Sequence, residues 1–184
     1  MKSLKGHFLV ASRSLADPNF VRTVLLMIEH TDAGAAGIVL NRPTGASLAE
    51  VSEEAFGRLV EWDKPIHLGG PVPGPLIALH SLEGLGDQEV LDGLFSTVDP
   101  DKLQELIRLR VEPSRFLANY AGWGAGQLEM ELDQDSWIIS PADPEVALRG
   151  GDVSMWEEVL KHLSASLLAD ALGLDQLPDD PSLN

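Results

Sequence analysis

Cysteine is missing from this chain of 184 residues, and several kinds of chemistry are excluded with it. Disulfides, thiol catalysis, iron–sulfur clusters and thiolate zinc sites all need a cysteine side chain. Long apolar runs are missing too, since no stretch approaches the roughly 20 residues that cross a bilayer. The first apolar run, Phe8–Ala11, is too short for a signal peptide. We therefore expect a cytoplasmic protein.

Positive charge is scarce. The chain has 13 Lys and Arg against 29 Asp and Glu, which gives a formal net charge of −16. A surface this acidic repels phosphate backbones and anionic lipids, so membrane binding and non-specific binding to nucleic acid are disfavoured. The densest basic cluster is diluted by neighbouring acids, and no helix-turn-helix pattern with a basic recognition helix accompanies it. Its members are Lys102, Arg108, Arg110 and Arg115.

Catalytic and metal-binding motifs are lacking as well. The five histidines lie far apart, and none belongs to a His-Glu-x-x-His pattern. There is no Gly-x-Ser-x-Gly nucleophile elbow and no phosphate-binding loop with its lysine. The sequence therefore predicts no metal and no cofactor, and it leans away from an enzyme. A cryptic hydrolase or transferase remains an alternative without a motif behind it.

Interspersed strand and helix patterns are present. A short opening hairpin argues against a purely parallel, doubly wound sheet, so we expect one α+β domain over residues 1–184, ending in a tail at 178–184. Residues 69–75 contain three prolines and are expected to be irregular, and 81–93 a polar loop with a weak strand. The predicted strands are 6–11, 21–29, 37–40, 65–68, 76–80, 94–98, 116–120 and 137–140.

Helix starts carry recognisable caps. Ser47 and Glu50 form a capping-box pattern that predicts a helix to about residue 60. Asp99 followed by Pro100 predicts a second helix, on the N-cap and first-turn preferences of these residues. Short helices are predicted at 127–132 and after Asp143-Pro144. A second capping-box pattern, Ser154 to Glu157, predicts the start of a terminal helix.

The block Gly34–Thr44 feeds a strand into Asn41, Arg42 and a proline. It places an amide and a five-donor guanidinium where the strand ends. One interpretation is a binding group for a carboxylate, a phosphate or a nucleobase edge. The other is internal use, in which Arg42 pairs with a nearby acid and Asn41 caps a turn.

The glycine-rich segment Gly122–Gly126 precedes a predicted helix. Glu129 in the first turn of that helix already complements the positive helix end and disfavours a phosphate there. We interpret the segment as a corner between strand and helix. Its Trp123 either fills the core or covers a groove.

These segments together resemble the YqgE/AlgH family over nearly the whole chain. The resemblance rests on the combination of Gly-Ile-Val-Leu-Asn-Arg-Pro, Gly-Gly-Pro-Val and Gly-Trp-Gly-Ala-Gly-Gln-Leu-Glu, together with Asp17-Pro18-Asn19-Phe20 and the tail Asp180–Asn184. Two positions depart from the family's pattern. Arg13 stands where proline is usual and adds a cation near the strand ends. Asn119 stands where glycine is usual, and asparagine tolerates a left-handed backbone.

The resemblance implies a bacterial cytosolic protein with a mixed, largely antiparallel, bifurcated sheet that curls into a pseudo-barrel with flanking helices. It also implies a transcriptional regulator, through a link to alginate production, and it attaches no reaction to the fold. Direct DNA binding conflicts with the charge argument above. It is kept as an alternative function.

The leading hypothesis is a small binding or regulatory protein with a groove at the strand ends. Asn41 and Arg42 are its expected polar anchors, and Trp123 or Tyr120 its apolar wall. The expected partner is a small anion, a peptide or another protein. The positions carried over from the matched motifs, which we expect to cluster in space, are Asp17, Asn41, Arg42, Gly69, Gly70, Tyr120, Trp123 and Gln127.

Overall fold

The computed structural model of the protein describes residues 2–57, 60–149 and 151–172. These ranges contain ten strands, five α-helices and a 3₁₀ turn at Glu83–Leu85. The strands are β1 (His7–Ala11), β2 (Val24–Thr31), β3 (Gly34–Val39), β4 (Pro43–Ser47), β5 (Pro65–Leu68), β6 (Val72–His80), β7 (Gln88–Leu91), β8 (Leu94–Thr97), β9 (Ser114–Gly124) and β10 (Trp137–Pro141). The helices are α1 (Leu48–Phe56), α2 (Pro100–Leu109), α3 (Gln127–Asp133), α4 (Pro144–Leu148) and α5 (Val153–Leu172).

All ten strands belong to one mixed sheet. Its main path runs β10-β1-β2-β3-β9-β6-β8-β7, and β4 and β5 branch from it because β5 also pairs with β9. The β5–β9 pair is parallel and the other pairs are antiparallel. The sheet curls into a half-barrel, so that Gln88 of β7 donates a hydrogen bond to the Ile28 carbonyl of β2. The predicted α+β class is confirmed.

The apolar residues form two clusters. The larger one is built on β1, β2 and β3, and it extends to Trp123, Trp137 and Trp156. The smaller one surrounds Phe116 of β9 and takes in the apolar side of α2, including Leu106. Strands β6 and β9 contribute residues to both clusters, so the two clusters meet on this pair of strands. Within the described ranges, no helix is long and apolar enough to cross a membrane.

The predicted helix caps are largely confirmed. The Ser47 amide donates to the Glu50 carboxylate at 2.9 Å, and the Asp99 carboxylate accepts from two amides at the start of α2. Helix α1 ends at Phe56, earlier than predicted, because Gly57 adopts a left-handed φ of 65°. Residues 58 and 59, where its continuation was expected, lie outside the described residues, as does the predicted tail. The second capping box is wrong, since α5 begins at Val153 and the Asp152 carboxylate accepts from the Ser154 amide.

The proline-rich segment after Gly70 corrects another prediction. Strand β6 begins at Val72 and runs through Pro73 and Pro75, where irregular structure was expected. It pairs with β8 only over residues 78–80, so the proline-containing half is free on that side and needs no backbone donor there. Strand β9 is also longer than predicted, because it runs on through Trp123 and Gly124.

Gly69 and Gly70 are required by a close approach of backbones. A Cβ atom at Gly70 would overlap the carbonyl of Tyr120, and one at Gly69 would overlap the carbonyl of Asn119. Asn119 itself adopts a left-handed φ of 68°, as its tolerance for that backbone allows, and its side chain accepts from the Gly74 amide at 3.1 Å. These two glycines therefore let the β5–β6 connection lie directly on β9.

Replacing Gly70 with alanine should lower the free energy of unfolding by about 3 kcal/mol, because the obstacle is backbone that cannot rotate away. Gly84→Ala is the matched control, since a Cβ atom there meets nothing within 4 Å. Urea denaturation of both variants measures the difference. Equal midpoints would show that the β5–β6 connection can move away from β9.

Candidate functional site

The side chain of Asn41 lies in the interior, with no exposed surface. Its oxygen accepts from the Val24 amide at 2.9 Å, and its nitrogen donates to the Arg22 carbonyl at 2.9 Å. Both partners lie where the β1–β2 loop (residues 12–23) enters β2. One amide thus satisfies a donor and an acceptor of the backbone that have no partner in the sheet at that point.

Arg42 binds the same loop one residue earlier. Its guanidinium donates to the Val21 carbonyl at 2.7 Å, and the side chain is half-buried. From the other side, the buried Arg115 donates to the carbonyls of Leu40 and Ala147. The end of β3 is therefore held between the β1–β2 loop and α4.

This arrangement corrects the expected groove. Of the two interpretations, internal use holds for Asn41, because its amide replaces missing backbone partners and does not project outward as a polar anchor. Arg42 binds a main-chain carbonyl, where the internal alternative expected an acid. Trp123 is only 5% exposed and packs in the core, which confirms the core alternative for this residue. At the β5–β6 connection Gly70 lies against the backbone of Tyr120 and Gly69 against that of Asn119, and the half-buried Tyr120 ring lies against Gly74. Gly69 and Gly70 are therefore positions of close contact between two stretches of backbone.

The carboxylate of Glu131 accepts hydrogen bonds from two indoles, and Asp17, Trp123 and Gln127 lie on the segments around it. Glu131 of α3 accepts from the indole nitrogens of Trp123 at 2.9 Å and Trp137 at 2.8 Å. Gln127 donates to the same carboxylate at 3.2 Å and accepts from the Gly124 amide. Phe20 stacks on Trp123 at 6.2 Å between ring centroids. Asp17 begins the turn that carries Phe20, because its carbonyl accepts from the Phe20 amide.

Glu129 has the role at the start of α3 that the sequence suggested. The backbone amide at the helix start and the hydrogen bond from His30 hold the pKa of its carboxyl below the ordinary value. The His30 Nε2 to Glu129 Oε1 distance is 2.9 Å, and the other ring nitrogen of His30 accepts from the Leu4 amide. His30 therefore connects the amino-terminal segment to α3.

A cleft of about 680 Å³ opens between the β1–β2 loop and α5. Its floor includes the indole of Trp156, which is 6% exposed and donates its N–H to the Ala11 carbonyl at 2.7 Å. Arg22 has a left-handed φ of 55°, and its guanidinium lies 5.8 Å from the centre of the Trp156 ring. We call this the cationic cleft; its charged and apolar walls include Arg13, Arg22, Lys161, Val21, Trp156 and Leu160.

The cations of the cleft differ from four other cations in the described part of the chain, which are paired with carboxylates. Lys64, Lys102, Arg108 and Arg149 each lie within 4.0 Å of a carboxylate. Among the described residues, no carboxylate lies that close to Arg13, Arg22 or Lys161. Glu157 also lines the cleft, as its only acidic wall residue in the described ranges. In a chain of net charge −16, the cleft is thus a local concentration of positive charge.

Comparison with known proteins identifies the family. A family model described as AlgH-like matches residues 8–168. The chain belongs to the AlgH-like family. A UPF0301 protein of Chlorobaculum tepidum is 38% identical over 164 residues, which cover 85% of this chain and 84% of that protein. One from Streptomyces coelicolor is 37% identical over 199 residues, covering 100% and 97% of the two chains.

Solved structures agree with the fold. The solution structure of the AlgH protein from Pseudomonas aeruginosa has a TM-score of 0.73 at 35% identity, and it covers 98% of this chain and 100% of that one. A crystal structure from Corynebacterium diphtheriae has a TM-score of 0.69 at 24% identity over 88% of each chain, which shows the fold alone. In this chain, the Asn-Arg-Pro segment that suggested the family supports the β1–β2 loop through the hydrogen bonds of Asn41 and Arg42, and that loop carries Arg13 and Arg22.

Asn41→Ala should lower the free energy of unfolding by about 2–4 kcal/mol, because it leaves the Val24 amide and the Arg22 carbonyl without a partner. Asn19→Ala, at an exposed position of the same loop, is the matched control and should change stability by less than about 0.5 kcal/mol. Thermal and urea unfolding measure both. A small effect at position 41 would mean that water replaces the amide.

His67 should make stability depend on pH. Burial, and then the charge of Arg115, lower the pKa of His67 to about 4, whereas the unfolded chain has a value near 6.5. Between these values the unfolded state binds a proton that the folded state does not, so stability falls as pH falls through this window. From pH 7 to pH 5 this contribution is about 1–2 kcal/mol.

Urea unfolding of His67→Gln at both pH values tests this, because the variant should lose that part of the difference. The pKa of His80 is also lowered by burial, so a pH dependence of the same sign should remain in this variant. The exposed His162→Gln serves as the control and should behave as the parent protein does. An unchanged pH difference in His67→Gln would contradict the assignment.

Proposed function

We propose that the protein is a small binding or regulatory protein that binds an anionic ligand in the cationic cleft. One observation carries the proposal: Arg13, Arg22 and Lys161 line one cleft, and no carboxylate of the described residues neutralises them within 4.0 Å. Cations that converge on a concave surface raise the local concentration of anions. Of the partners considered from the sequence, the small anion fits this cleft best.

The contacts that hold Arg22 in place favour a preorganised binding site. Arg22 is positioned twice, by the Asn41 amide on its carbonyl and by the Trp156 ring against its guanidinium. A cation over an aromatic face loses some conformational freedom before a ligand arrives. Less ordering of the Arg22 side chain is then needed on binding, so an anionic ligand gains affinity.

Regulation through a bound anion needs no contact with DNA. The net charge of −16 opposes such contact, because phosphate backbones are repelled. The proposed regulatory role is therefore a response to a ligand. A location in the bacterial cytoplasm, which the resemblance implies, belongs to the same proposal.

A thermal-shift series with phosphate, citrate and adenosine monophosphate, each against chloride at equal ionic strength, tests the proposal. At least one of these anions should raise the melting temperature, because a ligand that binds only the folded state stabilises it. Arg22→Ala should abolish that rise.

Arg108→Ala is the matched control, since Arg108 is an exposed arginine paired with Glu105 away from the cleft. It should retain the full rise. If no anion exceeds chloride, or if both variants respond equally, the cationic cleft is not the binding site.

A further inference from the structure

Charge in the cationic cleft points to a ligand with two negative charges. Arg13, Arg22 and Lys161 contribute three positive charges and Glu157 one negative charge, so two positive charges remain uncompensated among the described wall residues. A monoanion leaves one of these charges without a partner, and a more highly charged ligand meets Glu157. Electrostatic complementarity therefore favours a dianion.

Size points to an organic ligand. A volume of about 680 Å³ lies within the range of roughly 300–1,000 Å³ that small-molecule sites occupy. A single phosphate or sulfate ion fills only a small part of such a space. The ligand that fits the cleft therefore carries a body in addition to its charged group.

The walls specify the chemistry of that body. Val21, Leu160 and Trp156 line the cleft as apolar surfaces. The Trp156 N–H is used by the Ala11 carbonyl, and its ring is 6% exposed and lies against the Arg22 guanidinium. The indole therefore positions Arg22, and Val21, which is 36% exposed, is the main apolar surface open to a ligand. Two serines, Ser12 and Ser164, add hydroxyl groups at the walls. A flat or branched apolar body is favoured on this surface, with its anionic group turned toward the cations.

We infer that the ligand of the cationic cleft is an organic dianion with an apolar body, of the aryl phosphate type. This inference rests on the proposed function and adds the class of ligand. Arg22 is its central contact, because it lines the cleft and its guanidinium is held 5.8 Å from the centre of the Trp156 ring. Val21 is the specificity residue for the apolar body.

Calorimetric titration with three probes tests the inference: phenyl phosphate, inorganic phosphate and benzoate, at a pH where both phosphates are dianions. Phenyl phosphate should bind at least about tenfold more tightly than inorganic phosphate, because its ring removes apolar surface from water. It should also bind at least about tenfold more tightly than benzoate, which has one charge.

Variants assign these effects to residues. Val21→Ala should weaken phenyl phosphate about threefold or more and leave inorganic phosphate unchanged. Val153→Ala is the matched control, because Val153 is a similarly exposed valine, 43% against 36%, that does not line the cleft. Glu157→Gln should strengthen the binding of phenyl phosphate several-fold, since it removes the one opposing charge.

The outcomes separate the two proposals. Equal affinity for phenyl phosphate and inorganic phosphate, or an unchanged phenyl phosphate affinity in Val21→Ala, overturns the apolar body and leaves an anion site. If benzoate binds as tightly as phenyl phosphate, the inference that the ligand is a dianion is overturned. If none of the three probes binds, the anion site and the proposed function are both overturned.

Discussion

The hydrogen bonds of the Asn41 amide are the constraint on which the candidate site depends. The chain leaves β3 inside the protein, beside the β1–β2 loop, where the Arg22 carbonyl and the Val24 amide have no partner in the sheet. A buried side-chain amide supplies both partners at once, which few other side chains can do. Because the β1–β2 loop is fixed in this way, Phe20 reaches Trp123 and Arg22 reaches Trp156. The aromatic cluster and the cationic cleft thus share one support.

The distribution of cations is the second organising feature. Most paired arginines and lysines lie on the outer surface, where ion pairs contribute little to stability. Arg115 is buried without a carboxylate among the described residues, and it donates to main-chain carbonyls that join β3 to α4. Burial lowers its pKa to about 10, so it remains charged at neutral pH. Arg13, Arg22 and Lys161 form a third group of cations, which line the cleft and are exposed to solvent.

Local patterns predicted much of the fold and little of the site. The opening hairpin, the cap at Asp99 and the strand at Trp137 follow from residue preferences within a few positions, which is why they were correct. Asn41 followed by Arg42 has the same local pattern whether its amide faces a loop or solvent, so its orientation needed the tertiary structure. Arg13, Arg22 and Lys161 come from separate segments, and no sequence spacing brings them together. Only the unusual Arg13 and the neighbouring Trp156 and Leu160 on one side of α5 could have suggested the cleft.

The prolines of β6 have a consequence for how molecules meet one another. A half-strand without a neighbour is a template on which a second molecule can build, and repeated pairing of this kind leads to aggregates. Pro73 and Pro75 remove the backbone donors from the part of β6 that β8 does not cover. A passing strand therefore finds acceptors there and too few donors to form a ladder. The same residues that make this segment look irregular in the sequence protect the open margin of the sheet against self-association.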